Sequence, residues 1–207
     1  MTRTCCIFAG SPEKGLPCLP VPQDALMLCA DSGLRLANLL KIKPDLVMGD
    51  FDSLGFVPND VEIVQAPVEK DDTDTMLAVR RALSLGYDNI RIYGAFGGRL
   101  DHTIANLQTL RFLHEHGAEG MLIGANDYAC IVSGKMRKFP KMRDFSLSVF
   151  ALTDICEGVT LRGVHYPLEN AVLRASFPIG VSNEIIEDAA EIECGKGMLL
   201  VVVSALH

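Results

Sequence analysis

Aspartates recur directly after the apolar runs in the N-terminal part of the chain. They lie in the segments CADSG, MGDFDS, EKDDTD and GAFGGRLDH, and the residues are Asp31, Asp50, Asp52, Asp71, Asp72, Asp74 and Asp101. In open α/β sheets, ligands bind beyond the carboxyl ends of the strands, so we expect these carboxylates to converge at one sheet edge. In a site shielded from water they would repel one another strongly. The pattern therefore predicts a cationic partner at this edge.

Three cations could offset this negative charge: Lys70, Arg99 and a divalent metal ion. Oxygen ligands without His or Cys favour Mg²⁺, which keeps several waters and bridges to substrate phosphates. Phosphoryl-type transfer requires mainly positioning and charge neutralisation from the protein. Each aspartate cluster, taken alone, also fits a structural role as a turn or as a helix cap, and Asp101 fits the N-cap of the following helix. The clusters together predict magnesium-dependent transfer chemistry.

Two common nucleotide-binding motifs are missing from the sequence. No G-x-x-x-x-G-K-[ST] segment occurs, which excludes a P-loop enzyme, and no G-x-G-x-x-G follows the first apolar run. The GAFGG turn contains Gly94, Gly97 and Gly98 and would let the backbone approach a phosphate. The same turn also fits a tight connection between a strand and a helix.

Alternating strand and helix patterns predict an α/β domain with a mostly parallel sheet. The predicted helices are Leu34–Ile42, with Leu36, Leu39 and Leu40 on one apolar stripe, Thr73–Leu85 and Asp101–His114. The predicted strands are Thr4–Ala9, Leu26–Ala30, Leu46–Met48, Val61–Gln65, Ile90–Tyr93 and Met121–Ile123.

Beyond residue 126 the apolar residues no longer recur at helical spacing and instead recur at every second position. Phe145, Leu147, Val149 and Ala151 alternate with other residues, and turn signals recur up to a final apolar run, Met198–Ser204. This pattern predicts an all-β sandwich domain. We therefore expect an α/β domain over residues 1–126 and a β-sandwich over residues 127–207.

Charge and composition limit the kinds of molecule that the protein is expected to bind and the compartment in which it is expected to occur. The formal net charge of -7 argues against nucleic acid, because phosphate-tracking surfaces need clustered Lys and Arg. No apolar run approaches the roughly 20 residues that span a bilayer. The N-terminal segment is typical of a first strand and not of a signal peptide. The seven cysteines form no C-x-x-C pair, so we expect reduced thiols in a cytoplasmic protein.

The motifs in combination resemble the bacterial thiamine pyrophosphokinase family over essentially the whole chain. The matching segments are ADSG (30–33), PDLVMGDFDS (44–53), EKDDTDTMLAV (69–79), GAFGGRLDHTIANLQTL (94–110), YPLEN (166–170) and GVSNE (180–184). The resemblance implies an α/β nucleotide-binding domain, a β-sandwich that binds thiamine, and a homodimer with active sites at the subunit interface. It also implies the reaction of ATP with thiamine to give thiamine diphosphate and AMP.

The resemblance also carries residue roles. Asp50, Asp52 and Asp74 match the aspartates that hold the metal ion in the family, and together with Asp101 they are the candidate catalytic residues. Asp74 or Asp52 would accept the proton of the thiamine hydroxyl. The candidates for binding ATP or thiamine are Asp31, Ser32, Lys70, Asp71, Thr73, Arg99, His102, Ser182 and Asn183.

The sequence departs from the family pattern at two points, and it is also compatible with two other functions. The chain has no Trp to stack on thiamine, so His165, Tyr166 or Phe177 would have to supply an aromatic face. ADSG replaces the more usual ADGG, so Ser32 lacks the backbone freedom of glycine. The same carboxylates would also serve a metal-dependent nucleotide phosphohydrolase or a non-catalytic domain that senses ATP.

Overall fold

The computed structural model describes residues 2–10, 15–49, 62–65 and 72–206, with the backbone alone at 62–65. The chain divides into two units, Met1–Ala125 and Asn126–His207. Four of the candidate site residues, Asp50, Asp52, Lys70 and Asp71, lie outside the described residues.

The first unit is built on a parallel sheet. Its strands within the described residues are β1 (Thr4–Phe8), β2 (Leu26–Ala30), β3 (Leu46–Gly49), β4 (Glu62–Gln65), β5 (Asn89–Tyr93) and β6 (Glu119–Ile123). They lie in the order β4-β3-β2-β1-β5-β6, and every neighbouring pair is parallel. The chain moves outward from β1 in one direction through β4 and in the other through β5 and β6. The ends of β1 and β5 are therefore the topological switch point, where open α/β sheets bind ligands.

The central strand β1 explains why the N-terminal apolar run is continuous and not alternating. Cys5, Cys6, Ile7 and Phe8 each have no exposed surface, as expected for a strand covered on both faces of a parallel sheet. Phe8 also stacks on Tyr93 of the neighbouring β5, with ring centroids 5.5 Å apart. The core of this unit thus lies directly beneath the strand ends that carry the candidate site.

Three helices lie within the described residues of the first unit: α1 (Leu34–Leu39), α2 (Asp74–Ser84) and α3 (Leu100–Glu115). All three were predicted, with ends that differ by a few residues. The predicted apolar stripe of α1 was wrong, because the helix ends at Leu39, which is 61% exposed. A single 3₁₀ turn, Asp31–Gly33, precedes α1, and the helix buries Leu34 and Ala37 instead.

The second unit consists of antiparallel strands. These are β7 (Asp127–Val132), β8 (Met136–Pro140), β9 (Phe145–Ala151), β10 (Ile155–Arg162), β11 (Leu168–Arg174), β12 (Ala189–Glu193) and β13 (Leu199–Ala205). β13 pairs with β7 and β9, and a separate four-stranded sheet has the order β11-β10-β12-β8. The predicted fold class, an α/β domain followed by an all-β domain, is confirmed. The alternation in β9 buries Leu147 and Val149 completely.

The seven cysteines all lie within the described residues, and none forms a disulfide. Six are buried and Cys18 is partly exposed. Burial raises the pKa of the Cys5 and Cys29 thiols to about 12 and that of Cys6 to about 11. These thiols therefore stay protonated at neutral pH and behave as small apolar side chains. Among the described residues, even the 16-residue helix α3 is too short and too polar to cross a bilayer.

Candidate active site

A cavity of about 410 Å³ opens at the topological switch point of the first unit. Its walls come from the segments that follow β1, β2 and β5 and from the first turns of α2 and α3. The described residues that line it are Ala9, Gly10, Ala30, Asp31, Ser32, Thr73, Asp74, Thr75, Gly94, Ala95, Phe96, Gly98, Arg99, His102, Thr103, Ala105 and Asn106. Six of the predicted site residues meet here: Asp31, Ser32, Thr73, Asp74, Arg99 and His102.

Asp31 enters the cavity from a strained backbone position. Its φ of 45° lies in the left-handed region, which costs a residue other than glycine roughly 1 kcal/mol or more. The surrounding packing holds it there, because a Cβ on Gly49 of β3 would lie only 3.1 Å from the Asp31 Cα. Backbone strain of this kind persists only where the neighbouring structure fixes it. The end of β2 therefore carries Asp31 into the cavity wall on a strained backbone.

Ser32 needs none of the backbone freedom that glycine would supply. The positive φ in the ADSG segment is at Asp31, and Ser32 lies inside the 3₁₀ turn. Its hydroxyl lies against Gly10, where an added Cβ would collide with Ser32 Oγ. The serine therefore changes the cavity wall and leaves the loop conformation intact.

The N-terminus of α2 brings the TD motif to the cavity. Thr73 is the N-cap residue, and its Oγ1 accepts a hydrogen bond of 3.2 Å from the backbone N–H of Met76. Asp74 occupies the first turn, where a carboxylate is stabilised by the positive end of the helix. The nearby Asp72 forms an ion pair with Arg80, 3.2 Å between Oδ2 and Nε, and does not line the cavity.

Arg99 and Asp101 form an ion pair at the cavity mouth. Arg99 Nε donates to Asp101 Oδ1 at 3.1 Å, and Nη2 donates to Oδ2 at 2.6 Å. The hydrogen bond from Arg99 is the largest cause that lowers the pKa of the Asp101 carboxyl. Arg99 and His102 line the cavity, whereas Asp101 is not among the lining residues. Asp101 therefore affects the cavity indirectly, by fixing the Arg99 guanidinium.

The suggested role of Asp101 as a helix N-cap was wrong. Arg99 occupies the N-cap position, and α3 already begins at Leu100, so Asp101 lies inside the first turn. Its Oδ1 also accepts a 2.9 Å hydrogen bond from the backbone N–H of His102. The carboxylate thus favours the positive helix end while it binds Arg99.

Asn106 is a cavity residue that the sequence analysis missed. Its Nδ2 donates a 2.8 Å hydrogen bond to the carbonyl oxygen of Ala95, in the GAFGG turn. The turn is further fixed by Gly94 and Ala95, whose N–H groups both donate to the carbonyl oxygen of Ile123. A polar residue within the apolar spacing of α3 was the signal in the sequence. Asn106 therefore connects the loop wall of the cavity to the helix wall.

The two predicted residues in the second unit have different surroundings. Ser182 has a φ of 57°, is exposed, and its N–H donates to Ser148 Oγ at 3.0 Å. Asn183 is only 2% exposed, so its side chain faces the protein interior. Of the three aromatic candidates, Tyr166 is 67% exposed and Phe177 is 65% exposed. His165 contacts the Tyr166 ring edge-on, with centroids 4.6 Å apart.

The described residues of the cavity include some of the side chains that could bind a metal ion. Within those residues no cluster of three or more His, Cys, Asp or Glu side chains could hold one. Two carboxylates, Asp31 and Asp74, nevertheless line the same cavity. Carboxylate oxygens without thiols fit a hard cation such as Mg²⁺. Asp50 and Asp52, the other two predicted metal ligands, lie outside the described residues.

Comparison with known proteins shows the family to which the chain belongs. The family of the thiamin pyrophosphokinase catalytic domain matches residues 21–122, and that of the thiamin pyrophosphokinase vitamin B1 binding domain matches residues 138–199. The thiamine pyrophosphokinase of Bacillus subtilis is 31% identical over 213 residues, covering 98% of this chain and 99% of the relative. The chain belongs to the thiamine pyrophosphokinase family.

Solved structures agree with this assignment to the thiamine pyrophosphokinase family. The crystal structure of the Bacillus subtilis thiamine pyrophosphokinase has a TM-score of 0.85 at 25% identity, covering 99% of this chain and 100% of that one. A thiamin pyrophosphokinase family protein from Enterococcus faecalis has a TM-score of 0.84 at 31% identity, and both chains are covered completely. Each family domain matches within one of the two units of this chain.

Proposed function

We propose that this protein is a thiamine pyrophosphokinase, which transfers a diphosphate group from ATP to the hydroxyl of thiamine and releases AMP. The observation that carries the proposal is the cavity at the switch point, where Asp31, Asp74 and Arg99 meet in a chain of this family. A cavity of about 410 Å³ has the size of a small-molecule site, which usually measures about 300–1,000 Å³. We assign ATP to this cavity.

The charge distribution of the cavity supports phosphate chemistry. Arg99 supplies a guanidinium whose planar N–H donors match phosphate oxygens, and Asp101 holds it in place. The GAFGG turn brings the backbone close to the same space and is fixed by Asn106. We propose that Arg99 binds the transferred diphosphate, and that Ser32, Thr73, Lys70, Asp71 and His102 line the path of the nucleotide.

We propose that Asp50, Asp52 and Asp74 hold a magnesium ion. When bound, Mg²⁺ would supply positive charge that offsets the negative charge developing on the phosphate groups. The carboxylates of the chain orient the substrates and keep the cavity negative where the cation binds. Asp31 adds a further carboxylate to the same wall.

The transfer step forms one bond and breaks one. The thiamine hydroxyl oxygen attacks the β-phosphorus of ATP, and the bond between the β-phosphorus and the oxygen bridging to the α-phosphate breaks. AMP leaves with that oxygen, while the hydroxyl proton passes to a carboxylate, Asp74 or Asp52. Most of the catalysis comes from alignment and charge neutralisation.

We propose that the second unit binds thiamine. Its exposed segment with Ser182 and the exposed ring of Tyr166 offers a polar and an aromatic contact for an aromatic, cationic ligand. We also propose a homodimer with active sites at the subunit interface. The reduced thiols fit a cytoplasmic location, where disulfides are rare.

The test measures both products from ATP and magnesium, with and without thiamine. We expect AMP and thiamine diphosphate in equal amounts, complete dependence on thiamine, and loss of both products with EDTA. ATP consumption without thiamine would instead identify a phosphohydrolase. Tight ATP binding without turnover would identify a sensor domain.

A further inference from the structure

Asn183 is a buried amide whose hydrogen bonds converge on one other residue. Its Oδ1 accepts from the backbone N–H of Tyr166 at 3.0 Å, and its Nδ2 donates to the carbonyl oxygen of Tyr166 at 2.8 Å. Oδ1 also accepts from the N–H of Glu184 at 3.0 Å. A single side chain therefore replaces a strand partner for both backbone polar groups of Tyr166.

The backbone of Asn183 is anchored as firmly as its side chain. Its N–H donates to the carbonyl oxygen of Leu147, and the Leu147 N–H donates back, both at 2.8 Å. Leu147 is fully buried in β9. Asn183 thus connects the interior strand β9 to the surface position of Tyr166, and it has no exposed surface of consequence with which to touch a ligand.

Tyr166 has the opposite character. Its side chain is 67% exposed, although a tyrosine ring is largely apolar. The residue precedes β11 and lies outside the strands, so its orientation does not come from a regular ladder. Within the described parts of the chain, the Tyr166 ring has one aromatic contact, the edge-on contact with His165. The direction in which the ring projects therefore depends on the peptide groups that Asn183 holds.

We propose that Asn183 is a positioning residue, which fixes the Tyr166 ring as the aromatic face for thiamine and does not touch thiamine itself. The inference rests on the proposed function, because it assumes that thiamine binds at this surface. A ring fixed in advance binds with less loss of conformational entropy than a ring that must be ordered by its ligand. Removing the Asn183 amide leaves the Tyr166 peptide unpaired and releases the ring.

Because the chain contains no tryptophan, the fluorescence of a tryptophan introduced at position 166 reports on that position alone. Tyr166→Trp creates a single-tryptophan protein in which thiamine binding without ATP is followed by fluorescence quenching. Adding Asn183→Ala to this protein should raise the thiamine Kd about tenfold, the size of a typical coupling between contacting residues. It should also lower the fluorescence anisotropy of the ligand-free protein, because the ring moves more freely. A purely structural role for Asn183 would leave that anisotropy unchanged.

A matched control separates positioning from general loss of stability. Thr160 is also a buried polar residue of the second unit, 7% exposed, and its Oγ1 accepts from the Asn170 N–H at 3.2 Å. Thr160→Val should lower the melting temperature and leave the thiamine KM unchanged. If Asn183→Ala does not fold, Asn183→Asp keeps both accepting interactions but replaces the donor to Tyr166 by a buried carboxylate oxygen that faces its carbonyl, and it should also raise the thiamine Kd.

A double-mutant cycle completes the test. In Tyr166→Ala protein, Asn183→Ala should have no further effect on the thiamine KM, and the ATP KM should stay constant throughout. Additive effects of the two changes, or equal effects of Asn183→Ala and Thr160→Val, would overturn the inference. A wild-type protein that makes no AMP with thiamine would overturn the proposed function instead, so the two failures differ.

Discussion

The Arg99 guanidinium holds the Asp101 carboxylate through two hydrogen bonds, and only the arginine of this pair lines the cavity. Asp101→Asn should therefore weaken the hold on Arg99 and lower kcat/KM for ATP, by up to about 100-fold if the guanidinium shifts by an ångström. Glu115→Gln is the control, because it breaks the Arg111–Glu115 ion pair on the same helix away from the cavity. Steady-state kinetics of both variants provide the comparison. Equal kinetics in the two variants would show that Arg99 does not depend on Asp101.

The same pair defines a pH dependence. Arg99 lowers the pKa of Asp101 below the ordinary value for aspartate, about 3.9. A lowered pKa in the folded state stabilises the fold above the unfolded pKa, and this contribution is lost as the pH falls through the folded pKa. Both groups are exposed, so the effect on stability is small. We expect the Arg99-dependent part of ATP binding to persist at pH 5, measured as the difference in ATP affinity between wild type and Arg99→Ala.

Asp74 and Asp72 provide a matched pair of carboxylates at the start of α2. Asp74→Asn should lower kcat by about 100-fold, because it removes a cavity carboxylate where charge must be balanced. Asp72→Asn breaks only the surface ion pair with Arg80 and should keep activity within about twofold. A magnesium titration at saturating ATP and thiamine should show a raised metal requirement for Asp74→Asn alone. Near-normal turnover of Asp74→Asn would remove it from the mechanism.

Alanine at Gly33 and alanine at Gly117 should destabilise the protein for different reasons. An added Cβ at Gly33 would collide with the Phe8 carbonyl, and overpacking of this kind costs about 1–3 kcal/mol. Gly117 has a φ of 73° with open space around it, so Gly117→Ala should cost about 1–2 kcal/mol in backbone strain. Only Gly33→Ala should also abolish turnover, because the collision lies between the segments that carry the cavity residues Ala9 and Ser32. Urea unfolding and activity assays distinguish the two; retained activity in Gly33→Ala would contradict this account.

The buried thiols predict loss of stability at alkaline pH. Their pKa values rise to about 12 for Cys5, Cys29 and Cys194 and to about 11 for Cys6, against about 8.5 in an unfolded chain. Raised values mean that stability is complete below the unfolded pKa and declines as the pH rises toward the folded values. The urea midpoint should therefore fall from about pH 8.5 upward. Replacing Cys29 by Ala should reduce the slope of that decline, whereas an unchanged slope would exclude the thiol as its cause.

Much of the architecture could be predicted from the sequence because it depends on local patterns of residues. Continuous apolar runs predicted the buried parallel strands, and the aspartate after β2 was correctly expected at a strand end. Asp74 was expected near the other carboxylates because it follows the fourth predicted strand, and in the structure it lies in the first turn of α2, directly after the cap residue Thr73. These features depend only on residues that are close together in the sequence.

The remaining features depend on contacts between distant segments. The burial of Asn183 follows from its pairing with Leu147 and Tyr166, which no periodicity in GVSNE reveals. The hydrogen bond from Asn106 to Ala95 depends on how α3 packs over its preceding loop. The exposure of Leu39 follows from the end of α1, where a spacing of leucines had predicted a longer helix.

The central position of β1 has a consequence for the synthesis of the protein. β1 pairs with β5, and the same connection is extended by a hydrogen bond from the Arg3 N–H to Asp88 across 85 positions. β1 is therefore synthesised before β5, and its pairing with β5 waits until residues 89–93 are made. Long-range parallel pairing is slow and leaves unpaired edges open to aggregation. A nascent chain that stops before β5 should accordingly bind chaperones, and release should coincide with the emergence of residues 89–93.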